Sequence, residues 1–184
     1  MLSPVSEVVV LGTATEADVR QLAALLVDAV ESNAAVSFVA PLSMDRAVSW
    51  WTETLVSAAK SRAIVLVVRV EGEIVGTVQV QPAWAPNQPH RAEICKLIVH
   101  RKARNRGLAS ALMRAAEEHA GRAGYTLLTL DARGDGPACP LYRKLGWVEV
   151  GAIPRFALNA DGGGYHETVI FYKELGAPPC TRES

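Results

Sequence analysis

The chain has 184 residues with 19 basic and 19 acidic side chains, so its formal net charge at pH 7 is zero. Hydrophobic residues make up 49% and charged residues 21%, a globular composition that excludes global disorder. A neutral balance argues against nucleic-acid or membrane-surface binding, which calls for a basic excess. No apolar run approaches the roughly 18 residues of a membrane span.

One domain is expected, over 1–176, with a short tail at 177–184. The opening MLSPVSEVVVLG lacks a basic segment before its apolar stretch, so no secretory signal is expected. Cys95, Cys139 and Cys180 follow no disulfide or metal spacing, which points to a reduced, cytoplasmic protein. His90, His100, His119 and His166 show no ligand spacing such as HExxH, so no metal is expected.

Ser6 to Leu11 reads as a first strand. Thr13 with Glu16 forms a capping-box pattern that opens a helix to about Glu31, its apolar face carried by Leu22, Leu25, Leu26, Ala29 and Val30. Ser43 caps a second helix to about Lys60. Strands follow over 62–70 and 74–83, joined by Glu71-Gly72-Glu73. In the second, Ile74, Gly76, Val78 and Val80 alternate with Thr77, Gln79 and Gln81. Three prolines make 84–90 a loop. Residues 92–99 form a nearly continuous apolar strand, interrupted by Glu93 and Lys96, which suits a central position. A helix to about Ala123, a strand at 125–130, a short helix at 140–145 and strands at 147–156 and 165–173 complete the chain. The order βααβββαβαββ is that of an α/β domain: a mixed, mostly antiparallel sheet with helices on both faces.

Residues 97–120 carry the densest chemical signal. A buried strand runs into a basic loop and then an amphipathic helix, so free N–H groups and the helix dipole create an anion site at Gly107. Arg101, Lys102, Arg104 and Arg106 add charge, and Ala109 and Ser110 leave room for close contact. Neither GxxxxGK[ST] nor GxGxxG occurs, which excludes P-loop and dinucleotide-binding readings. Alone, the same run also suits an ordinary solvated basic loop.

The segment Arg104-Asn105-Arg106-Gly107-Leu108-Ala109 resembles the Q/R-x-x-G-x-G/A signature of the GNAT acetyltransferases. Leu141-Tyr142-Arg-Lys-Leu-Gly146-Trp147 is similar to that family's later helix-turn, and the element order agrees throughout. A closer likeness, to tabtoxin-resistance acetyltransferases, rests on residues 34–38, Met44, Trp50, 91–93, Lys96-Leu97, Leu130-Asp131 and 170–173. One departure is Gly134-Asp-Gly-Pro137, where many members have a cofactor-contacting Asn. The resemblance implies acetyl-CoA as co-substrate, with the pantetheine arm along Leu97, Ile98 and Val99. Phosphates would then lie against Arg104, Asn105, Arg106, Gly107, Leu108, Ala109 and Ser110. It also implies an N-acetyltransferase whose acceptor is a small metabolite, amino acid or amino-acid-like toxin, as in antibiotic resistance. Protein or peptide acetylation and a non-catalytic acyl-CoA sensor remain as alternatives, and the chain is expected as a monomer or homodimer.

Acetyl transfer to nitrogen needs a neutral amine, yet an α-amino group has a pKa of about 7.7–8.0 and lysine about 10.4. It also needs donors for the oxyanion and a proton for the departing thiolate. Tyr142, placed by the resemblance beside the sulfur, suits the acid. Asp131 and Glu93 are candidate bases, Asp131 being favoured by its expected place at a strand's C-terminal end. Cys139, one turn before Tyr142, opens an acyl-cysteine route, although a packed thiol is the commoner meaning. The acceptor pocket is expected from Ser37, Phe38, Trp50, Trp51, Gln79, Gln81 and Trp84, with Asp131 beside it. Trp50 and Trp51, adjacent on a helix, cannot both face it.

Overall fold

The computed structural model describes residues 7–176; Ser6 and the tail at 177–184 lie outside them. The first strand, β1 (Glu7–Val10), leads into α1 (Glu16–Glu31). The cap is Thr15 rather than Thr13. Its hydroxyl accepts from the Asp18 N–H at 3.1 Å, and Asp18 Oδ2 accepts from the Thr15 N–H at 2.9 Å. Thr13 and Glu16 have the same spacing, but Asp18 also takes Arg69 Nη2 at 2.6 Å, and this tertiary contact selects the box. As expected, Ser43 caps α2 (Met44–Lys60), accepting from the Arg46 N–H at 3.3 Å.

The remaining elements are β2 (Ile64–Val70), β3 (Glu73–Pro82), β4 (Arg91–Val99), a 3-10 turn (Arg101–Ala103), α3 (Leu108–Arg122), β5 (Leu127–Arg133), α4 (Ala138–Lys144), β6 (Val148–Leu158) and β7 (Tyr165–Glu174). They form one seven-stranded sheet, ordered β1-β2-β3-β4-β5-β7-β6, in which only β4 and β5 run parallel. This is the expected mixed, mostly antiparallel α/β architecture.

Each face of the sheet carries its own core. Leu112, Met113 and Ala116 of α3, with Cys139 and Tyr142 of α4, pack on Leu66, Val78, Leu128 and Phe171. Leu22, Leu25 and Leu26 of α1, with Trp51 of α2, pack on Val65, Val67 and Ile98. Ile74 departs from the expected alternation and joins the α1/α2 core. Ile74 pairs with Arg69 while Gly76 pairs with Val68, so Val75 is an extra residue that reverses the side-chain direction.

The β6–β7 turn reaches across to the loop after α1. Asn33 Nδ2 donates to Asp161 Oδ2 at 2.9 Å, the Ala40 N–H donates to the Ala160 carbonyl at 2.7 Å, and Ala160 is buried in the α1/α2 core. The loop bearing Ser37 and Phe38 is thereby fixed at the edge of the open sheet face.

Asp18 is pushed up by burial, yet its carboxyl stays below the usual carboxylate range because Thr15 and Arg69 hydrogen-bond its charged form. A depressed folded pKa contributes stability above the unfolded value, and that stability is lost as pH falls through the folded one. Asp18→Asn is therefore expected to cost about 1–2 kcal/mol at pH 7 in urea unfolding. The gap to wild type should close as pH drops below about 4.

Candidate active site

β4 and β5 are joined through only three register pairs, Arg91 with Leu127, Ala92 with Leu128 and Glu93 with Thr129. Beyond Glu93 the strands separate, β4 remaining on β3 and β5 on β7. The cause is a bulge in β4. Lys96 is left-handed at φ +53°, and the register against β3 slips so that Gln79 faces Cys95 while Thr77 faces Ile98. An extra residue bends the bulged strand away from its neighbour. The inner edges of both strands past Thr129 consequently have no strand partner. Leu97, Ile98 and Val99 lie on this free stretch. Leu97 and Val99 face the α3 core, whereas Ile98 enters the α1/α2 core.

At the same end of the sheet the chain enters α3. Asn105 and Gly107 are both left-handed, at φ +61° and +78°. Gly107 is the N-cap and no side chain caps the helix, in contrast to α1 and α2. The first-turn amides of Leu108, Ala109 and Ser110 thus lack intrahelical acceptors. A Cβ on Gly107 would meet nothing within 4 Å, so its backbone angle, rather than crowding by protein atoms, is what favours glycine. Arg101 is withdrawn from the cationic cluster, because its guanidinium pairs with Asp28 and also reaches Glu31 at 3.3 Å. Lys102, Arg104 and Arg106 stay exposed around the turn, with Arg104 Nε donating to the Val99 carbonyl at 3.1 Å. Free strand edges, open helix amides and three cations are what an extended amide-bearing chain ending in phosphates requires.

The face of the sheet toward α1 and α2 carries the polar side chains. Register aligns Gln81, Glu93, Thr129 and Tyr172 in one row. Gln79, Cys95, Asp131 and Ile170 form the next row, with the strand opening between Cys95 and Asp131. Asp131 lies inside β5 rather than at its end, since β5 runs on to Arg133. Its Oδ2 accepts from Thr168 Oγ1 at 3.1 Å. Glu93 is exposed and makes no ion pair among the described residues; neighbouring Arg91 instead bonds Gln88 and Thr129.

Beside these rows lies a pocket of about 380 Å³ lined by Trp50, Glu53, Thr54, Ser57, Gln79, Gln81, Cys95 and Lys96. Phe38 borders it through an edge contact with Trp50, their ring centroids 5.3 Å apart. Trp51 is fully buried in the core, so the two adjacent tryptophans do divide. Trp84 does not reach the pocket and stands 91% exposed. Its loop closes on itself through Gln88–Arg91 and Ala83–Arg91 hydrogen bonds, which turns the indole into solvent. Glu53, Thr54, Ser57, Cys95 and Lys96 line the pocket without having been expected there from the sequence. The one signal was that Lys96 interrupts an apolar strand.

Tyr142 approaches from the opposite face. It is 5% exposed, packed against Phe171 and Trp147 at centroid distances of 5.6 and 6.1 Å. Burial pushes its pKa well up, reinforced by Cys139 and by Asp131, so the hydroxyl stays protonated. Cys139 is 1% exposed, its thiol donates to the Arg133 carbonyl at 3.4 Å, and burial raises its pKa as well. Burial takes the Cys95 thiol to about 11, with Lys96 opposing and Glu93 and Asp131 adding to the rise. Asp131 is thus felt by Tyr142 on one side and by Cys95 on the other, across the strand opening. Among the described residues no group of three His, Cys, Asp or Glu side chains gathers to hold a metal ion, and no helix is long and apolar enough to cross a membrane.

This sheet, parted between two parallel strands with an open helix terminus at the parting, is a frame for an extended, phosphate-bearing ligand. Residues 31–147 match the acetyltransferase (GNAT) family, and the chain belongs to it. It is an N-acetyltransferase of that family. Over 125 residues it is 33% identical to an uncharacterized N-acetyltransferase from the hisH-hisA intergenic region of Azospirillum brasilense, covering 67% of this chain and 73% of that one. The yncA protein of Salmonella typhimurium, solved with its cofactor acetyl-CoA, superimposes with a TM-score of 0.75 at 17% identity, covering 92% and 94% of the two chains. A ribosomal-protein-alanine N-acetyltransferase from Brucella melitensis gives a TM-score of 0.73 at 24% identity, covering 89% and 98%. Likeness at these identities concerns the fold.

Alkylation tests the state of the pocket thiol. At pH 8 a thiol with a pKa near 11 is almost wholly protonated, so Cys95 should react with iodoacetamide on the order of 100-fold more slowly than free cysteine. Peptide mapping of the labelled protein reads Cys95 separately from the other thiols.

Proposed function

We propose that this acetyltransferase acts on the amine of a small molecule, an amino acid or amino-acid-like toxin, by direct transfer. The observation that carries this is the pocket between α2, β3 and β4. Its volume suits a metabolite, and the pinned loop sets Phe38 against Trp50 at its border. Residues shared with tabtoxin-resistance acetyltransferases favour an amino-acid-like acceptor and a role in resistance or self-protection. Free Cys95 and Cys139 suit a reducing, cytoplasmic setting.

Acetyl-CoA supplies the activated acyl group as a thioester. The unpaired inner edge of β4 at Leu97, Ile98 and Val99 holds its extended arm. The stretch Arg104, Asn105, Arg106, Gly107, Leu108, Ala109 and Ser110 receives its phosphates through backbone N–H groups and guanidinium charge. Backbone N–H groups on the same strand edge stabilise negative charge developing on the carbonyl oxygen. Asp131, oriented by Thr168, or Glu93 takes the proton that the acceptor ammonium must lose before it attacks. Tyr142, kept protonated by burial, donates to the leaving thiolate, whose conjugate thiol has a pKa of about 8.5. Cys139 is buried, protonated and already bonded to a carbonyl, which disfavours an acyl-cysteine detour.

Release of CoA from acetyl-CoA across a panel of amino acids, polyamines, aminoglycosides and peptides tests the reading. Turnover confined to small amines is expected; turnover on peptides alone would reject it, and CoA binding without any turnover would make the protein a sensor. Within the mechanism, Tyr142→Phe should lower kcat by about 10²–10⁴-fold with CoA affinity unchanged. Unchanged kcat would remove Tyr142 from proton transfer.

A further inference from the structure

We propose that Lys96 reads a carboxylate on the acceptor, so that the preferred acceptor is an amino acid bearing a free carboxylate. This rests on the small-amine reading above and narrows it to one charge pattern. The bulge that parts β4 from β5 also gives Lys96 its left-handed backbone, and the residue lines the pocket instead of continuing the apolar strand. Its Nζ lies 3.1 Å from Ser37 Oγ and 5.7 Å from the centre of the Trp50 ring. Neither partner carries charge, and among the described residues no carboxylate lies within ion-pair distance of it. A half-buried ammonium with three donors and only a hydroxyl and an aromatic face for company retains capacity for an anion.

The adjoining wall adds a second unsatisfied group. Gln79 is 1% exposed, and its Nε2 has no hydrogen-bond partner. Its Oε1 faces Gln81 Nε2 at 2.8 Å and the Cys95 thiol at 3.9 Å. The protonated thiol serves as a donor there, which assigns the oxygen to that side and leaves the amide nitrogen as the orphan.

Charges of both signs surround Cys95: Lys96 follows it in β4, Glu93 stands in the adjoining row and Asp131 across the strand opening, and all three act on its thiol. An ammonium drawn toward Glu93 and Asp131 arrives at the strand opening, where transfer occurs, while a carboxylate of the same molecule meets Lys96.

The test compares an amino acid with its own primary amide as acceptors, in wild type, Lys96→Met and Lys96→Arg. In Lys96→Met, the acid-to-amide ratio of kcat/KM is expected to fall by about 10–100-fold, through KM for the acid rather than kcat. Lys96→Arg should keep most of the preference. Lys96→Asn, which tolerates the left-handed backbone better, repeats the loss without the strain of Met, and CoA affinity verifies that each variant is folded. An unchanged ratio in Lys96→Met and Lys96→Asn, with wild type active on small amines, overturns the role of Lys96 alone. A wild type that binds CoA and acetylates no small amine overturns the small-amine reading, and this inference with it.

Discussion

The extra residue in β4, Lys96 at φ +53°, bends that strand off β5 after three register pairs, and the opening it creates organises the whole site. Backbone groups that a regular sheet would consume in its ladder lack strand partners on both inner edges. Buried strands rarely leave such groups unpaired, because each orphan costs the desolvation of a donor or acceptor. The proposed function assigns them to an extended ligand with amides of its own. The opening also leaves Tyr142 of α4 on one face of the sheet and Glu93 and Asp131 on the other, the arrangement on which the proposed acid and base roles rest.

Burial governs protonation throughout the site. Tyr142, Cys139 and Cys95 all have raised pKa values because water is excluded, and in each case a nearby carboxylate or thiol adds to the rise. A phenol held neutral is a useful proton donor, whereas a thiol held neutral is a poor nucleophile. The same physical effect therefore favours general acid chemistry and disfavours a covalent route.

The zero net charge conceals a designed unevenness that the fold largely reconciles. Residues 1–31 carry five acids to one base, and residues 91–106 carry six bases to one acid. Asp28 and Glu31 sit in the last turn of α1, where the helix dipole disfavours anions. Arg101 compensates them and in doing so ties the β4–α3 connection to α1. What remains positive is local: Lys102, Arg104 and Arg106 around the uncapped start of α3, with Lys96 isolated in the pocket.

Element order, the fold class and the helix start at Gly107 were readable from the chain alone, since hydrophobic period, caps and the glycine at 107 are local properties. So was the pairing of Gln79 and Gln81 on a polar strand face. Which threonine caps α1, which way Ile74 points and where Trp84 goes were not, because each depends on contacts with residues distant in sequence or on a loop closing upon itself. Lys96 is the clearest case. Its interruption of an apolar strand was visible in the sequence. Only strand pairing, which places the bulge at that residue and turns it beside Trp50 and Ser37, makes it a cation of the pocket. Sequence determined the residues and their local conformations; the long-range register of β3, β4 and β5 decided which of them share a site.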